Sequence, residues 1–193
     1  MRVARDHRLT PEEYLAQERR AEWKSEYLDG EVFAMVGASR RHNVISLNVA
    51  SSLLAKVKGR GCEVYASDMR VRISATNLYT YPDVTVVCGR PSFDDGELDT
   101  LLNPRLIVEV LSSTTEGYDR GKNFAHYRTL DSLAEYVLIS QEEVRVERFS
   151  RQPDGLWVLA EADRLEDVLP LPSIGCELRL ADVYDGAFEP GPA

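Results

Sequence analysis

From Ser39 or Arg40 to about Val57, the apolar residues Val44, Ile45, Leu47, Val49, Leu53, Leu54 and Val57 recur at helical spacing, and Gly59 and Gly61 end the run. This pattern predicts the main core helix. Upstream, Thr10-Pro11-Glu12-Glu13 combines a capping threonine, a proline at the first helical position and a glutamate three residues after the cap. It predicts a helix to about Ala21. Between the two, residues 26–35 alternate polar and apolar around Asp29-Gly30, a favoured two-residue hairpin turn. Strand-like runs follow at about 62–73, 82–88 and 105–111, then a helix near 117–130 and strands at 135–140, 143–149 and 156–161. That order predicts one α/β domain: a mixed sheet flanked by helices, with an N-terminal helix and hairpin and extra C-terminal strands.

The stretches between these elements carry their own expectations. Asp68, Arg70 and Arg72 alternate with Met69, Val71 and Ile73, which reads as an exposed, charge-paired strand face. The 89–105 connection holds Asp94, Asp95, Glu97 and Asp99 and reads as a mobile loop or a contact element, a solvated acidic loop being the ordinary reading. The end from Gly186 onward reads as frayed.

Composition narrows the class. A chain of 193 residues with 44% hydrophobic and 28% charged residues suits a single domain over 1–193 with a core at about 9–180, and it contains no apolar run of membrane-spanning length. The N-terminus lacks the apolar core of a signal peptide, and Cys62, Cys88 and Cys176 are odd in number and widely spaced, so a reducing cytoplasm is expected. With 23 basic and 32 acidic side chains the net charge is −9, which argues against a sequence-indifferent coat for polyanions. Local basic groups and metal ions can still grip a few phosphates.

The candidate chemistry sits in two apolar runs. Asp83 opens Asp83-Val84-Thr85-Val86-Val87-Cys88, and Glu109 lies inside Leu106-Ile107-Val108-Glu109-Val110-Leu111. A carboxylate in a buried sheet costs several kcal/mol unless it is paired or binds a metal. If the two strands pair antiparallel, the start of the first lies beside the end of the second and the carboxylates converge. Such an oxygen-rich, partly open site suits Mg2+ or Mn2+.

Glu26-Tyr27-Leu28-Asp29-Gly30-Glu31, His42, Tyr81-Pro82-Asp83-Val84, Asn103 through Ser112, Thr115, Asp119-Arg120 and Lys122 occur in an order that resembles a family of bacterial, often cyanobacterial, restriction-endonuclease-like proteins. That family is a branch of the PD-(D/E)xK nuclease superfamily, and the resemblance covers roughly residues 9–180. It implies a restriction-endonuclease-like core and a divalent-metal-dependent endonuclease acting on DNA, with Asp83 and Glu109 as metal ligands. It also shows a departure: Leu111 stands where the superfamily has its signature lysine. The resemblance implies that Lys122, near the start of the following helix with Asp119, Asn123 and His126, supplies the catalytic cation. Without the resemblance, a surface pair with Asp119 is the ordinary reading of Lys122.

Glu26, His42 and Asp119 are accessory candidates, as a further ligand, a ligand or phosphate contact, and a neighbour of the lysine. Their structural readings are cross-strand decoration, a helix cap and a surface partner. The aromatic residues show no interleaving with basic ones, so Trp23 and Trp157 read as core or interface. No Gly-x-Ser-x-Gly elbow, zinc-ligand spacing or glycine-rich phosphate loop occurs, which disfavours serine hydrolase, zinc and nucleotide-dependent chemistry. A homodimer follows from the expectation that both strands of a duplex are cut. The competing reading is a nuclease fold without catalysis that serves as a nucleic-acid-binding or assembly module.

Overall fold

The computed structural model describes residues 8–188. In chain order its elements are α1 (Pro11–Glu18), β1 (Ser25–Leu28), β2 (Glu31–Ala34), α2 (Arg40–Val57), β3 (Cys62–Ala66), β4 (Arg70–Ile73), β5 (Leu78–Thr80) and β6 (Val84–Cys88). They continue with β7 (Thr100–Leu101), β8 (Leu106–Leu111), α3 (Glu116–Tyr118), a π-turn over Asp119–Asn123 and α4 (Phe124–Tyr127). β9 (Glu135–Ser140), β10 (Val146–Arg151), β11 (Trp157–Ala162), β12 (Val168–Leu171), β13 (Cys176–Arg179) and α5 (Leu180–Val183) complete the fold.

Local signals set the first elements as expected. Thr10 and Glu13 form a reciprocal capping box at α1, and the Ser39 side chain caps α2 by accepting from the His42 amide. Asp29 and Gly30 both have positive φ, the backbone that a primed hairpin turn requires. A side chain at Gly30 would also meet Arg8 Cβ at 2.6 Å.

Two sheets carry the architecture. One has six strands in the order β11-β10-β9-β8-β6-β3, the other five in the order β2-β1-β5-β4-β7, and β12 with β13 forms a separate hairpin. On β8, Leu106, Val108 and Val110 face the stripe Ile45, Val49, Leu53 and Val57 of α2. Ile107 and Leu111 face the other way, against Val71, Ile73, Leu78 and Leu101 of the second sheet and Tyr127 of α4. Glu109 shares this second face by the two-residue period of a strand, and so does Asp83 relative to Thr85 and Val87. Both carboxylates therefore point towards the layer where the second sheet and the π-turn meet.

Several expectations are corrected here. The run at 62–73 is two strands in different sheets, because the chain turns at Ala66, whose carbonyl accepts from the Met69 amide at 3.1 Å. The alternating charges do not make an exposed face: Arg70 is only 3% exposed and bonds Asp99, Thr100 and Tyr81. The 89–105 connection is a contact element, solvated only at its tip over 95–98 and its ends. Arg19 of α1 holds Asp95 at 2.6 Å and Asp99 at 2.8 Å, Arg72 pairs with Asp94, and β7 runs parallel to β4. Acidic residues gather there because three arginines wait for them. The Arg19 hydrogen bonds hold the Asp99 carboxyl well below the usual carboxylate range, against the effect of burial.

At the C-terminus, Ala187 is fully buried and Phe188 stacks on Tyr184 at 5.5 Å, so 186–188 are packed, and 189–193 lie outside the described residues. Cys62 and Cys88, far apart in sequence, become directly opposed by the β3–β6 register and form a disulfide, while Cys176 is free. Spacing alone gave no hint of that pairing. Among the described residues, no helix is long and apolar enough to cross a membrane.

Candidate active site

Antiparallel pairing of β6 with β8 sets Val84 opposite Val108, so Asp83 lies opposite Glu109. The Asp83 amide donates to Glu109 Oε2 at 3.3 Å, and the Val110 amide donates to Asp83 Oδ2 at 2.8 Å. Each carboxylate is thus tied to the other's strand. The pair forms the floor of a cleft of about 740 Å3 between the β1–β2 hairpin, the first turn of α2 and the 112–123 segment.

Three elements complete the floor. From α2, His42 Nε2 lies 3.1 Å from Asp83 Oδ2. The helical segment after β8 contributes Tyr127, which donates to Glu109 Oε1 at 2.7 Å, and Asn123, which donates to Asp119 Oδ1 at 3.1 Å and reaches Glu109 Oε1 at 3.5 Å. From β1 comes Glu26, whose Oε1 accepts from Thr80. Glu26, His42, Asp83, Glu109 and Asp119 all line the cleft.

The site is electrostatically loaded. Burial, then the charges of Asp119 and Asp83, push the Glu109 carboxyl well above its ordinary range, against the hydrogen bond from Tyr127. Burial is also the main cause raising Asp119, with Asp83 adding to it, and burial with Asp119 raises Glu26. Burial alone would lower the His42 imidazole, but its hydrogen bond to Asp83 and that charge raise it overall. Buried carboxylates that resist ionising near one another are a mark of functional sites.

Lys122 does not reach this floor. It is exposed and absent from the cleft lining, and its charge acts instead on His126, which also stays out of the cleft. The reason is the π-turn at Asp119–Asn123. A π-turn spends more residues per turn than an α-helix, so Lys122 falls short of a full turn after Asp119 and Asn123 arrives in its place. Asn123, 3% exposed, is the inward residue. Tyr127 was missed from sequence, although its spacing of four from Asn123 and eight from Asp119 puts all three on one helical stripe. The basic side chains of the cleft lining are His42 and Lys24, and Lys24 Nζ is held by the Ser67 carbonyl at 2.9 Å and Asp68 at 3.0 Å.

The donor set fits a hard divalent ion. Asp83, Glu109 and Asp119 offer only oxygen, and Asn123 Oδ1 is buried without a hydrogen-bond partner, an orphan that an ion or its water would satisfy. Among the described residues, no three His, Cys, Asp or Glu side chains close around an ion by themselves.

The sequence and the fold have known relatives. The chain is 40% identical over 161 residues to uncharacterized protein sll1609 of Synechocystis sp. (strain PCC 6803), covering 83% of this chain and 91% of the relative. It is 38% identical over 182 residues to uncharacterized protein slr1290 of the same organism, covering 93% of each. The fold is similar to a crystal structure described as "a putative nuclease belonging to DUF820" from Anabaena variabilis, with a TM-score of 0.76 at 20% identity over 93% of this chain and 99% of that one. The fold is therefore restriction-endonuclease-like. The Uma2 model, described as "Putative restriction endonuclease", matches residues 11–181, and the chain belongs to that family.

Proposed function

We propose that this protein is a Mg2+- or Mn2+-dependent endonuclease that hydrolyses phosphodiester bonds of nucleic acid, DNA in the first instance. The observation that carries the reading is the opposed pair Asp83 and Glu109, held on neighbouring strands beside a third buried carboxylate, Asp119. A cluster that raises its own carboxyl groups is costly to keep unless a cation offsets it.

In this reading Asp83 and Glu109 hold the ion, with Asn123 Oδ1 and Asp119 beside them. When bound, the ion supplies charge for a scissile phosphate and makes an attacking water more acidic. The protein's part is positional. Tyr127 and the Asp83 amide fix the two Glu109 oxygens, and the Val110 amide fixes Asp83. His42 sets its Nε2 at 3.1 Å from Asp83 Oδ2 and so fixes that oxygen from the α2 side, and the contact favours the imidazolium. In this reading His42, which lines the cleft, stands nearer the phosphate than Lys122, which does not. A homodimer, with one such cleft for each strand of a duplex, belongs to the same reading.

One observation favours the non-catalytic reading: Asn123, not a lysine, occupies the inward position of the π-turn. Incubation of the purified protein with supercoiled DNA and Mg2+ or Mn2+ separates the two. Metal-dependent nicking that disappears in Asp83→Asn and Glu109→Gln supports the nuclease, and DNA binding without nicking by the wild type supports the binding module.

A further inference from the structure

The mouth of the cleft differs in kind from its floor. Trp23 is 79% exposed and Val36 83%, and with Phe33 of β2 they line the entrance on the hairpin side. Trp23 is thus not part of the core, whereas Trp157 packs edge-on against Phe124 at 5.2 Å under Arg151. Lone exposed apolar residues need no explanation, but an indole, a phenyl ring and a valine around the opening of one polar cleft form a patch with a direction.

The charge of the cleft says what the patch suits. Its lining holds four carboxylates, Glu26, Asp83, Glu109 and Asp119, against His42 and Lys24, each already engaged by an aspartate. With a net charge of −9 over the chain, a duplex gripped through rows of phosphates would find few partners here. A nucleotide whose base is free offers what the rim can use, a flat π-face for the indole, a contact that asks for no cation, whereas a duplex keeps its bases stacked inside.

We infer that Trp23, supported by Phe33 and Val36, forms a nucleobase-stacking subsite at the cleft entrance, so that the strand entering the site is single-stranded or locally unpaired. The inference rests on the nuclease reading for the nucleic-acid class of the ligand. The subsite and the chemistry make separate demands on experiment, because stacking needs no metal and no intact carboxylate floor.

The chain has two tryptophans, so Trp157→Phe leaves Trp23 as the sole indole reporter. In that background, with EDTA present, oligothymidylate should quench Trp23 emission and bind more tightly than a blunt duplex of equal length. Binding should weaken only slightly as salt rises. Trp23→Ala, at an exposed position that does not disturb packing, should weaken oligothymidylate binding by about 5- to 100-fold, the range set by stacking of one base. It should leave metal binding unchanged. Unchanged quenching and affinity in these tests, or equal preference for the duplex, overturn the subsite even where metal-dependent nicking is found, and the nuclease reading then stands alone. Quenching without nicking keeps the subsite and removes the nuclease. A change from dimer to monomer in Trp23→Ala, with DNA affinity intact, assigns the patch to a second copy of the chain and also overturns the proposal.

Discussion

Asp119 shows most directly what single residues do in this site. It is buried, and its charge is the largest cause after burial of the raised Glu109 carboxyl. Asp119→Asn removes one of three mutually repelling groups and keeps an oxygen for the Asn123 amide. Without metal the variant should melt above the wild type, by about 2–4 °C for each kcal/mol of relieved repulsion, and it should bind Mg2+ more weakly. Thermal melts with and without metal check both parts; a variant that melts lower without metal contradicts the electrostatic reading. A second contrast follows from the π-turn. Lys122→Ala should leave nicking within about twofold of wild type, since an exposed charge outside the cleft contributes little, whereas His42→Ala should lose about 100-fold or more, the weight of a positioned acid–base group. A Lys122→Ala variant that is inactive and well folded would restore the lysine to the site. The carboxylate pair was legible in sequence because an acid inside an apolar strand is conspicuous. Asn123 was overshadowed by its charged neighbour, because a π-turn has no sequence period of its own.

Elements differ in how plainly the chain announces them. α2 and the β1–β2 hairpin are long or sharply punctuated, and their bounds lie close to those read from sequence. β5 and β7 are too short to show a period, with three and two residues. The split of the 62–73 run went unread because Ala66-Ser67-Asp68-Met69 has neither glycine nor proline to mark the turn. That split decides the architecture, since it sends β4 into the second sheet and buries Arg70 between α1 and the 89–105 segment. Arg70→Ala should therefore cost about 1–3 kcal/mol, as loss of the buried partner of Thr100 and Tyr81 does while Asp99 keeps Arg19, measured as a lower denaturant midpoint. A loss below about 1 kcal/mol would show that Arg19 alone secures Asp99. The hairpin and β5 bring Glu26 to the cleft from one sheet while β6 and β8 bring Asp83 and Glu109 from the other, so the site depends on how the two sheets meet.

For the whole molecule, lowered carboxyls such as Asp95 and Asp99 set the loss of stability in acid, and the raised carboxyls of Glu26, Glu109, Asp119 and Glu135 set the pH dependence above the ordinary carboxylate range. Each raised group holds its proton more firmly in the folded chain than in the unfolded one. Between the unfolded and folded pKa values the folded state binds more protons, so this contribution is fully present below the unfolded value and is lost as pH rises through the folded one. The metal-free protein should thus lose stability as pH climbs out of the ordinary carboxylate range towards neutrality, unlike a protein dominated by paired acids, and Mg2+ should remove much of that slope because it competes with the protons for the same oxygens. The measurement that tests the central claim most directly is thermal melting of the wild type, Asp83→Asn and Glu109→Gln near neutral pH across a Mg2+ and Mn2+ titration. The account predicts a rise of about 5–10 °C in the wild type as metal approaches one hundred times its dissociation constant, and little or none in either variant. A wild-type melting temperature that ignores both ions would contradict it, and would leave the opposed carboxylates as a structural pair in a nuclease fold.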